Sequence, residues 1–299
     1  MTIQSNNKME ETICPKCRST NIIKWCKRKT QNRGFIQRYK CKDCGKYFTI
    51  DDGFFRMRNN PKKITLCLDL FYNGISTRKV QEHLQAFYPH NSSWVTIYSW
   101  IVKYSKQISK FTDKLKINAT EEVQVDEMEY KTKGKKSWFI DCIDTKTRYM
   151  ISSNFCKTRK LKEIKKVLLN IKEKTGNQIK IVTTDGYTAY ENAVKKTFGY
   201  NLKLNKYNVI HHKVTQLKNE GFNHKVERMH SSIRQRTKVF RGFGSLNGAN
   251  AIMKGYEIYY NFIRKHQAIN CCPYELATNI KLTNPNKWLE LINLSTQNY

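Results

Sequence analysis

The spacing of apolar residues divides the chain into a helical segment followed by a segment of mixed strands and helices. Between residues 62 and 112, apolar side chains recur at helical spacing in three runs, which are separated at Asn73-Gly74 and at Pro89. A serine or threonine precedes the second and third runs and can cap each helix. Three short helices with a tight break before the last are typical of a helix-turn-helix, and a plain helical connector is the alternative.

From residue 122 the pattern changes from helical spacing to alternation, which predicts strands. The predicted strands lie at 123–128, 138–143, 149–151, 179–184 and 201–210. The predicted helices lie at 160–174, 187–198, 222–238 and 248–265. Three strands in succession, followed by a strand between helices, indicate a mixed α/β domain in which helices pack on a sheet.

The composition indicates the kind of partner. The 299 residues include 55 Lys or Arg against 24 Asp or Glu, which gives a formal net charge of +31. A chain this basic repels itself in isolation, so the expected partner is a polyanion, most simply nucleic acid. Apolar residues make up 39% of the chain, which is enough for a sizeable core and excludes wholesale disorder. No apolar run approaches the roughly 20 residues of a membrane span, so we expect a cytoplasmic, nucleoid-associated protein with no membrane partner.

Two Cys-x-x-Cys pairs predict a zinc site near the amino terminus. Cys14 and Cys17 form one pair, Cys41 and Cys44 form the other, and the residues between the pairs are polar and basic. A tetrahedral zinc ion takes four soft ligands, and two such pairs at this spacing supply them. Because the segment has few core residues, we expect a structural zinc ion to supply its folding energy. A redox pair is the disfavoured alternative, since nothing here resembles a thioredoxin-type unit.

The same module and the third predicted helix carry candidate contacts to DNA. Cations that can pair with phosphate stand beside aromatic side chains that can stack on bases. The predicted DNA contacts are Arg28, Arg33 and Arg38 in the zinc module and Thr96, Ser99 and Lys103 on the third helix. The alternative for the zinc module is that its aromatic residues pack a small core and its cations form a solvated face.

Three acidic residues occupy positions that surface solubility does not explain. Asp126 lies within an alternating strand, Asp185 ends a strand before a glycine, and Glu227 lies in a strongly basic helix. Mg²⁺ prefers carboxylate oxygens, and two such ions about 4 Å apart can activate a nucleophile and stabilise the leaving oxygen of a phosphodiester. We therefore predict that these acids converge on divalent metal. The alternative is that Glu227 is an ordinary ion-pair partner on a charged helix.

Residues close to these acids in the sequence have different predicted roles. His230 and Arg234 follow Glu227 by three and seven positions, which places them on its helical face, where they are predicted to contact the scissile phosphate. Glu127 follows Asp126 directly, so strand alternation points its side chain to the opposite face. Glu127 is therefore predicted to be structural.

The combined motifs resemble a known family. A module with two Cys-x-x-Cys pairs and a helix-turn-helix precede Val-Asp126-Glu, Thr-Thr-Asp185-Gly-Tyr and Val-Glu227-Arg-Met-His. This order is similar to that of prokaryotic insertion-sequence transposases of the DDE type. The resemblance implies an RNase H-like catalytic domain whose acids hold Mg²⁺ or Mn²⁺ for strand cleavage and 3′-OH strand transfer. It also implies that the amino-terminal modules bind terminal repeats of double-stranded DNA and that the protein acts as a homo-oligomer. Arg234 matches the basic residue that the family places seven positions after its glutamate.

The chain departs from the family pattern at the third acid. The 41 residues between Asp185 and Glu227 exceed the spacing usual in related elements, whereas Glu220 would give a spacing closer to it. Glu227 is preferred because its sequence context and Arg234 fit the motif, while Glu220 lies in a turn-like Lys-Asn-Glu-Gly.

We divide the chain accordingly into four parts. These are a zinc ribbon at 1–52, a helix-turn-helix domain at 53–118, an RNase H-like DDE domain at 119–270 and a carboxy-terminal tail at 271–299. The predicted function is DNA transposition. The alternative is a non-catalytic DNA-binding regulator that derives from a transposase.

Overall fold

The computed structural model describes residues 12–31, 33–88, 92–214, 223–238, 240 and 242–297. A small antiparallel sheet of β1 (Ile22–Thr30), β2 (Gly34–Cys41) and β3 (Tyr47–Phe48) comes first. The guanidinium of Arg33 ties this sheet to the following segment, since it pairs with Asp52 and donates to the carbonyl of Phe54 at 2.9 Å. The sheet therefore has a fixed contact with the rest of the chain.

Three helices follow at the predicted positions. They are α1 (Pro61–Tyr72), α2 (Thr77–Phe87) and α3 (Trp94–Thr112). Each begins with a side-chain cap, in which Asn60, Ser76 and Ser93 accept backbone N–H groups of the first turn. The helical periodicity and the capping residues agree here, which explains why the sequence indicates these elements correctly.

A five-stranded mixed sheet forms the centre of the molecule and confirms the predicted α/β class. Its strands are β4 (Glu122–Thr132), β5 (Lys135–Asp144), β6 (Met150–Cys156), β7 (Ile181–Asp185) and β10 (Ile210–Val214). Their order is β10-β7-β4-β5-β6, with β4, β5 and β6 antiparallel and with β7 parallel to both β4 and β10. The helices α4 (Leu161–Thr175), α5 (Thr188–Phe198), α6 (His224–Thr237) and α7 (Leu246–Ile258) accompany the sheet.

The predicted fifth strand at 201–210 is wrong. That stretch forms a small hairpin of β8 (Tyr200–Asn201) and β9 (Lys206–Tyr207), and the fifth strand of the sheet begins only at Ile210. The hairpin turns at Asn205, which has a positive φ of 49° that interrupts an extended chain. The last helix, predicted at 248–265, is α-helical only as far as Ile258, where α7 ends. The chain then forms a π-helical turn at Tyr259–Ile263.

The carboxy-terminal residues pack on the helical segment instead of forming a tail. They form α8 (Pro273–Ala277) and α9 (Lys287–Gln297). Trp288 is buried, stacks on Tyr72 with ring centroids 5.4 Å apart, and donates its indole N–H to Asp69. This segment therefore belongs to the core that α1 and α3 share. Among the described residues, no helix is long and apolar enough to cross a lipid bilayer.

The contact between α3 and α7 joins the helical segment to the sheet domain. Gly255 on α7 faces Tyr72, whose hydroxyl lies 2.7 Å from the Ser105 hydroxyl on α3. A Cβ at position 255 would overlap the Tyr72 hydroxyl and approach the Ser105 Oγ to 2.6 Å. The close approach of these elements therefore requires glycine.

We expect Gly255→Ala to lower the free energy of unfolding by about 2 kcal/mol, because a methyl group overpacks this contact. Urea denaturation followed by circular dichroism measures the change. Gly244→Ala is the control, since a Cβ at position 244 meets nothing within 4 Å. Equal stability of the two variants would contradict the packing argument.

Candidate active site

Two parallel neighbouring strands bring Asp126 and Asp185 together. Glu122 and Gln124 of β4 pair with Ile181 and Thr183 of β7, and the same register continued along β4 places Asp126 beside Asp185. Carboxylate oxygens of Asp126, Glu127 and Asp185 all lie within 4.8 Å of one another. We call these three residues the acid cluster. Its oxygens are hard donors at a spacing that one divalent cation can bridge, so the residues fit Mg²⁺ or Mn²⁺.

The prediction for Glu127 is wrong in its geometry. Its carboxylate accepts from Tyr190 Oη and Arg159 Nη1, each at 2.5 Å, and its side chain is 4% exposed. β4 pairs with β7 only as far as Gln124. At position 127, pairing with β7 therefore does not block the path of a side chain from one face of the sheet to the other. The longer glutamate side chain therefore joins Asp126 and Asp185 despite strand alternation.

Arg159 was not anticipated from the sequence, although it lies at the edge of the acid cluster. Its guanidinium lies 4.5 Å from the ring centroids of both Trp138 and Tyr187 while it pairs with Glu127. The ion pair with Glu127 raises the pKa of Arg159 further above its usual range. This fixed cation offsets part of the repulsion between the carboxylates.

Asp126 has a mostly buried environment. Its Oδ1 accepts the backbone N–H of Glu127 at 2.8 Å, and its Oδ2 lies 3.5 Å from His230 Nδ1. Burial raises the pKa of Asp126 to about 7, while His230 and the Glu127 N–H lower it and the charges of Asp141 and Glu127 add to the rise. An added cation would favour the ionised form of this carboxylate.

The structure places His230 away from the position predicted for a DNA contact. The residue is 6% exposed, and its Nε2 lies 3.0 and 2.9 Å from the two carboxylate oxygens of Asp141. Burial lowers the pKa of His230, but the Asp141 and Asp126 carboxylates more than offset that effect and raise it. His230 is therefore directed into the domain because its partners lie on β5 and β4.

Asp141 is a site neighbour that the sequence reasoning did not select. It is fully buried on β5, directly opposite Asp126 in the β4–β5 register. Burial raises the pKa of this carboxyl group, and His230 opposes the rise. The available signal was a charged residue in the otherwise apolar run Phe-Ile-Asp-Cys-Ile.

Glu227 and Arg234 lie on the exposed face of α6. Glu227 is one helical turn before His230 and lies outside the acid cluster, and Arg234 is one turn after His230. Residues three or four positions apart on a helix have Cβ atoms about 5–6 Å apart, so both flank the point where α6 meets Asp126. The alternative third acid, Glu220, lies outside the described residues.

Comparison with known proteins identifies the domain that carries the acid cluster. The family model DDE_Tnp_IS240, which describes a DDE domain, matches residues 120–267. Residues 120–267 belong to this family of DDE domains. Both aspartates of the acid cluster lie within the matched range.

Solved structures give weaker similarities. A chain of the simian T-cell lymphotropic virus intasome, in complex with a PP2A regulatory subunit, is 14% identical over 57% of this chain and 61% of that chain, with a TM-score of 0.39. The HTLV-2 integrase catalytic core domain with magnesium, in its trimeric form, is 16% identical over 53% of this chain and 96% of that chain, with a TM-score of 0.37. A search of curated proteins gives no significant match.

The four paired cysteines converge in the amino-terminal module. The Sγ atoms of Cys14 and Cys44, and those of Cys17 and Cys41, are 3.6 Å apart, and all four lie within 4.8 Å. Four Zn–S bonds of about 2.3 Å in a tetrahedron place the sulfur atoms about 3.8 Å apart. The four thiols are free and fit a zinc ion.

Both cysteine pairs lie on turns of the same form. The N–H of Arg18 donates to the carbonyl of Cys14 at 2.9 Å, and the N–H of Gly45 donates to that of Cys41 at 3.1 Å. Arg18 and Gly45 have positive φ values of 59° and 70°. Each turn thereby directs its two thiols to one side, which is why the spacing of the pairs predicts their convergence.

The predicted DNA contacts in this module differ in position. Arg28 is exposed on β1, and the Arg38 guanidinium lies 5.8 Å from the centroid of the Tyr47 ring. Arg33 does not match the prediction, because its side chain is 15% exposed and already binds Asp52 and the Phe54 carbonyl. Arg33 instead holds the small sheet against the segment that contains Asp52 and Phe54.

The predicted contacts on α3 share one side of the amino-terminal half of the helix. Ser99 and Lys103 are exposed, and Thr96 is half-buried beside the Ser93 cap. Lys103 Nζ lies 3.3 Å from Met57 Sδ. This side of α3 is accessible to a partner.

We expect Cys14→Ser to release the zinc ion, because three thiolates hold a structural zinc ion far less well than four. Zinc content by mass spectrometry and proteolysis between residues 18 and 40 measure the effect. The matched control is Cys26→Ser, since Cys26 is exposed and lies outside the four-cysteine group. Full zinc content in Cys14→Ser would contradict the assignment.

Proposed function

We propose that this transposase binds the terminal repeats of an insertion sequence, cleaves DNA strands there and joins the resulting 3′-OH ends to target DNA. The observation that carries the proposal is the convergence of Asp126 and Asp185 at one sheet edge of a DDE domain. A basic chain with a net charge of +31 supplies the surface that such a polyanionic substrate requires.

Asp126, Asp185 and Glu227 are the proposed ligands of Mg²⁺ or Mn²⁺. Bound there, such ions would activate the attacking oxygen and stabilise the leaving oxygen of the phosphodiester. The position of α6 supports Glu227, because the Nδ1 of His230 on this helix lies 3.5 Å from Asp126 Oδ2 and Glu227 lies one turn earlier. Arg234, on the same exposed face, is the proposed contact to a DNA phosphate near the scissile bond.

The amino-terminal modules are the proposed binding site for the element ends. A groove of about 1060 Å³ lies between the small sheet and residues 55–58, and Arg28, Arg38 and Arg56 line it together with the exposed Phe35. Arginine side chains pair with phosphates, and exposed aromatic rings stack on bases. We propose that this groove and the accessible side of α3 contact the terminal repeats while zinc supports the module.

Paired-end chemistry needs more than one copy of the chain. Two ends of one element must be held together before both can be joined to a target. The intasome similarity concerns an assembly of another protein. We propose by analogy that this transposase acts on DNA as a homo-oligomer.

We expect Asp126→Asn and Asp185→Asn each to reduce Mn²⁺-dependent cleavage by about 100-fold or more, since each change removes a charged metal ligand. A labelled duplex that carries the inverted repeats flanking the gene measures cleavage and joining, and gel shift measures end binding, which should be kept. Glu129→Gln is the matched control on the same strand, because Glu129 pairs only with Lys136 among the described ion pairs. A wild-type protein that binds ends without cleaving them would favour the regulator alternative.

Substitution of Glu227 and of Glu127 tests which glutamate is the third metal ligand. We expect Glu227→Gln to abolish cleavage as Asp126→Asn does, whereas Glu127→Gln should keep measurable cleavage because Arg159 and Tyr190 already occupy the Glu127 carboxylate. The same cleavage assay decides between them. An active Glu227→Gln with an inactive Glu127→Gln would reassign the third ligand to Glu127.

A further inference from the structure

We propose that Asp141 and His230 are positioning residues that hold the Asp126 carboxylate in its metal-binding orientation. This inference rests on the proposed function, since it assigns a role toward the metal ligand Asp126. Neither residue would touch the metal ion. Asp141 would act through His230, and His230 would act on Asp126.

The contacts form a chain from the interior to the acid cluster. Both oxygens of Asp141 lie within 3.0 Å of His230 Nε2, which fixes the plane of the imidazole ring. The fixed ring then directs Nδ1 toward Asp126 Oδ2 at 3.5 Å. That separation is an electrostatic contact more than a full hydrogen bond, so it orients Asp126 without occupying its oxygens.

Burial argues that the Asp141–His230 pair has a role beyond stability. Asp141 is fully buried and His230 is 6% exposed. Removing charged groups from water costs free energy that their mutual attraction often fails to recover, so well-packed apolar side chains would stabilise this position at least as well. The pair lies next to the proposed metal ligand Asp126, and a role toward that ligand explains why charged groups are buried there.

Asp144 on the same strand shows what a purely structural buried aspartate looks like. It is also fully buried, but its oxygens accept from the backbone N–H groups of Lys146 and Thr147 in the turn after β5 and of Thr120 just before β4, and from the hydroxyls of both threonines. The carboxylate of Asp141 instead bonds a side chain 89 residues away, on the helix that carries Glu227. Asp144 is therefore a matched comparison for Asp141.

The pair also docks α6. At the start of this helix, the Oε1 of Gln124 on β4 accepts the N–H groups of Lys225 and Val226 at 3.1 Å, and about one turn later His230 binds Asp141 on β5. The helix is thus attached to the strand that carries Asp126 and to the neighbouring strand β5. Outer partners that orient a metal ligand typically contribute 10–100-fold to metal affinity.

Titration of MnCl₂ into the full-length protein without DNA, measured by calorimetry, tests this inference. We expect Asp141→Asn and His230→Gln each to weaken Mn²⁺ binding by about 10-fold or more. We expect the double variant to be no weaker than the weaker single variant, because the two residues act in series. Asp144→Asn is the control, and it should lower the unfolding temperature while leaving Mn²⁺ affinity unchanged.

The outcomes separate this inference from the proposed function. If Asp141→Asn does not fold, His230→Gln decides alone, since it keeps a side-chain nitrogen for Asp141. Wild-type Mn²⁺ affinity in His230→Gln, or in a folded Asp141→Asn, overturns the positioning role while the metal site stands. Wild-type protein that binds Mn²⁺ no better than Asp126→Asn overturns both proposals.

Discussion

Mutual repulsion among carboxylates is the constraint around which the centre of this molecule is arranged. Oxygens of Asp126, Glu127 and Asp185 lie within 4.8 Å of one another in a partly buried setting, where like charges disfavour ionisation. The chain supplies the Arg159 guanidinium on Glu127 and the His230 imidazole next to Asp126. What these side chains leave unbalanced is the negative charge that a divalent ion would neutralise.

The helical segment is attached to the sheet domain by more than chain continuity. Helix α3 packs along α7, and its end residue Asp113 accepts from Lys174 on α4 at 3.0 Å and from Lys254 on α7 at 3.1 Å. Burial lowers the pKa of Lys254, but Glu257 and Asp113 more than offset this and raise it, so the lysine stays charged. Ion pairs therefore join the end of α3 to the domain that holds the acid cluster.

Several features of the candidate site were predictable because they depend on local pattern. The Cys-x-x-Cys turns place each pair of thiols on one side, so Cys14, Cys17, Cys41 and Cys44 were expected to converge. Alternation and strand length placed Asp126 within a strand and Asp185 at a strand end. Parallel neighbours then bring both to one edge, which is a property of sheets in general.

The sequence by itself determined the α/β class, the three helices before the sheet, the four-cysteine group and the pairing of Asp126 with Asp185. Only the tertiary structure decided that Glu127 joins these aspartates, that His230 turns inward to Asp141, and that residues 273–297 pack on α1 and α3. Periodicity reports which side of an element is apolar, and it carries no information about the partner that meets that side. Partners such as Asp141 and His230, 89 residues apart, are chosen by how the elements pack.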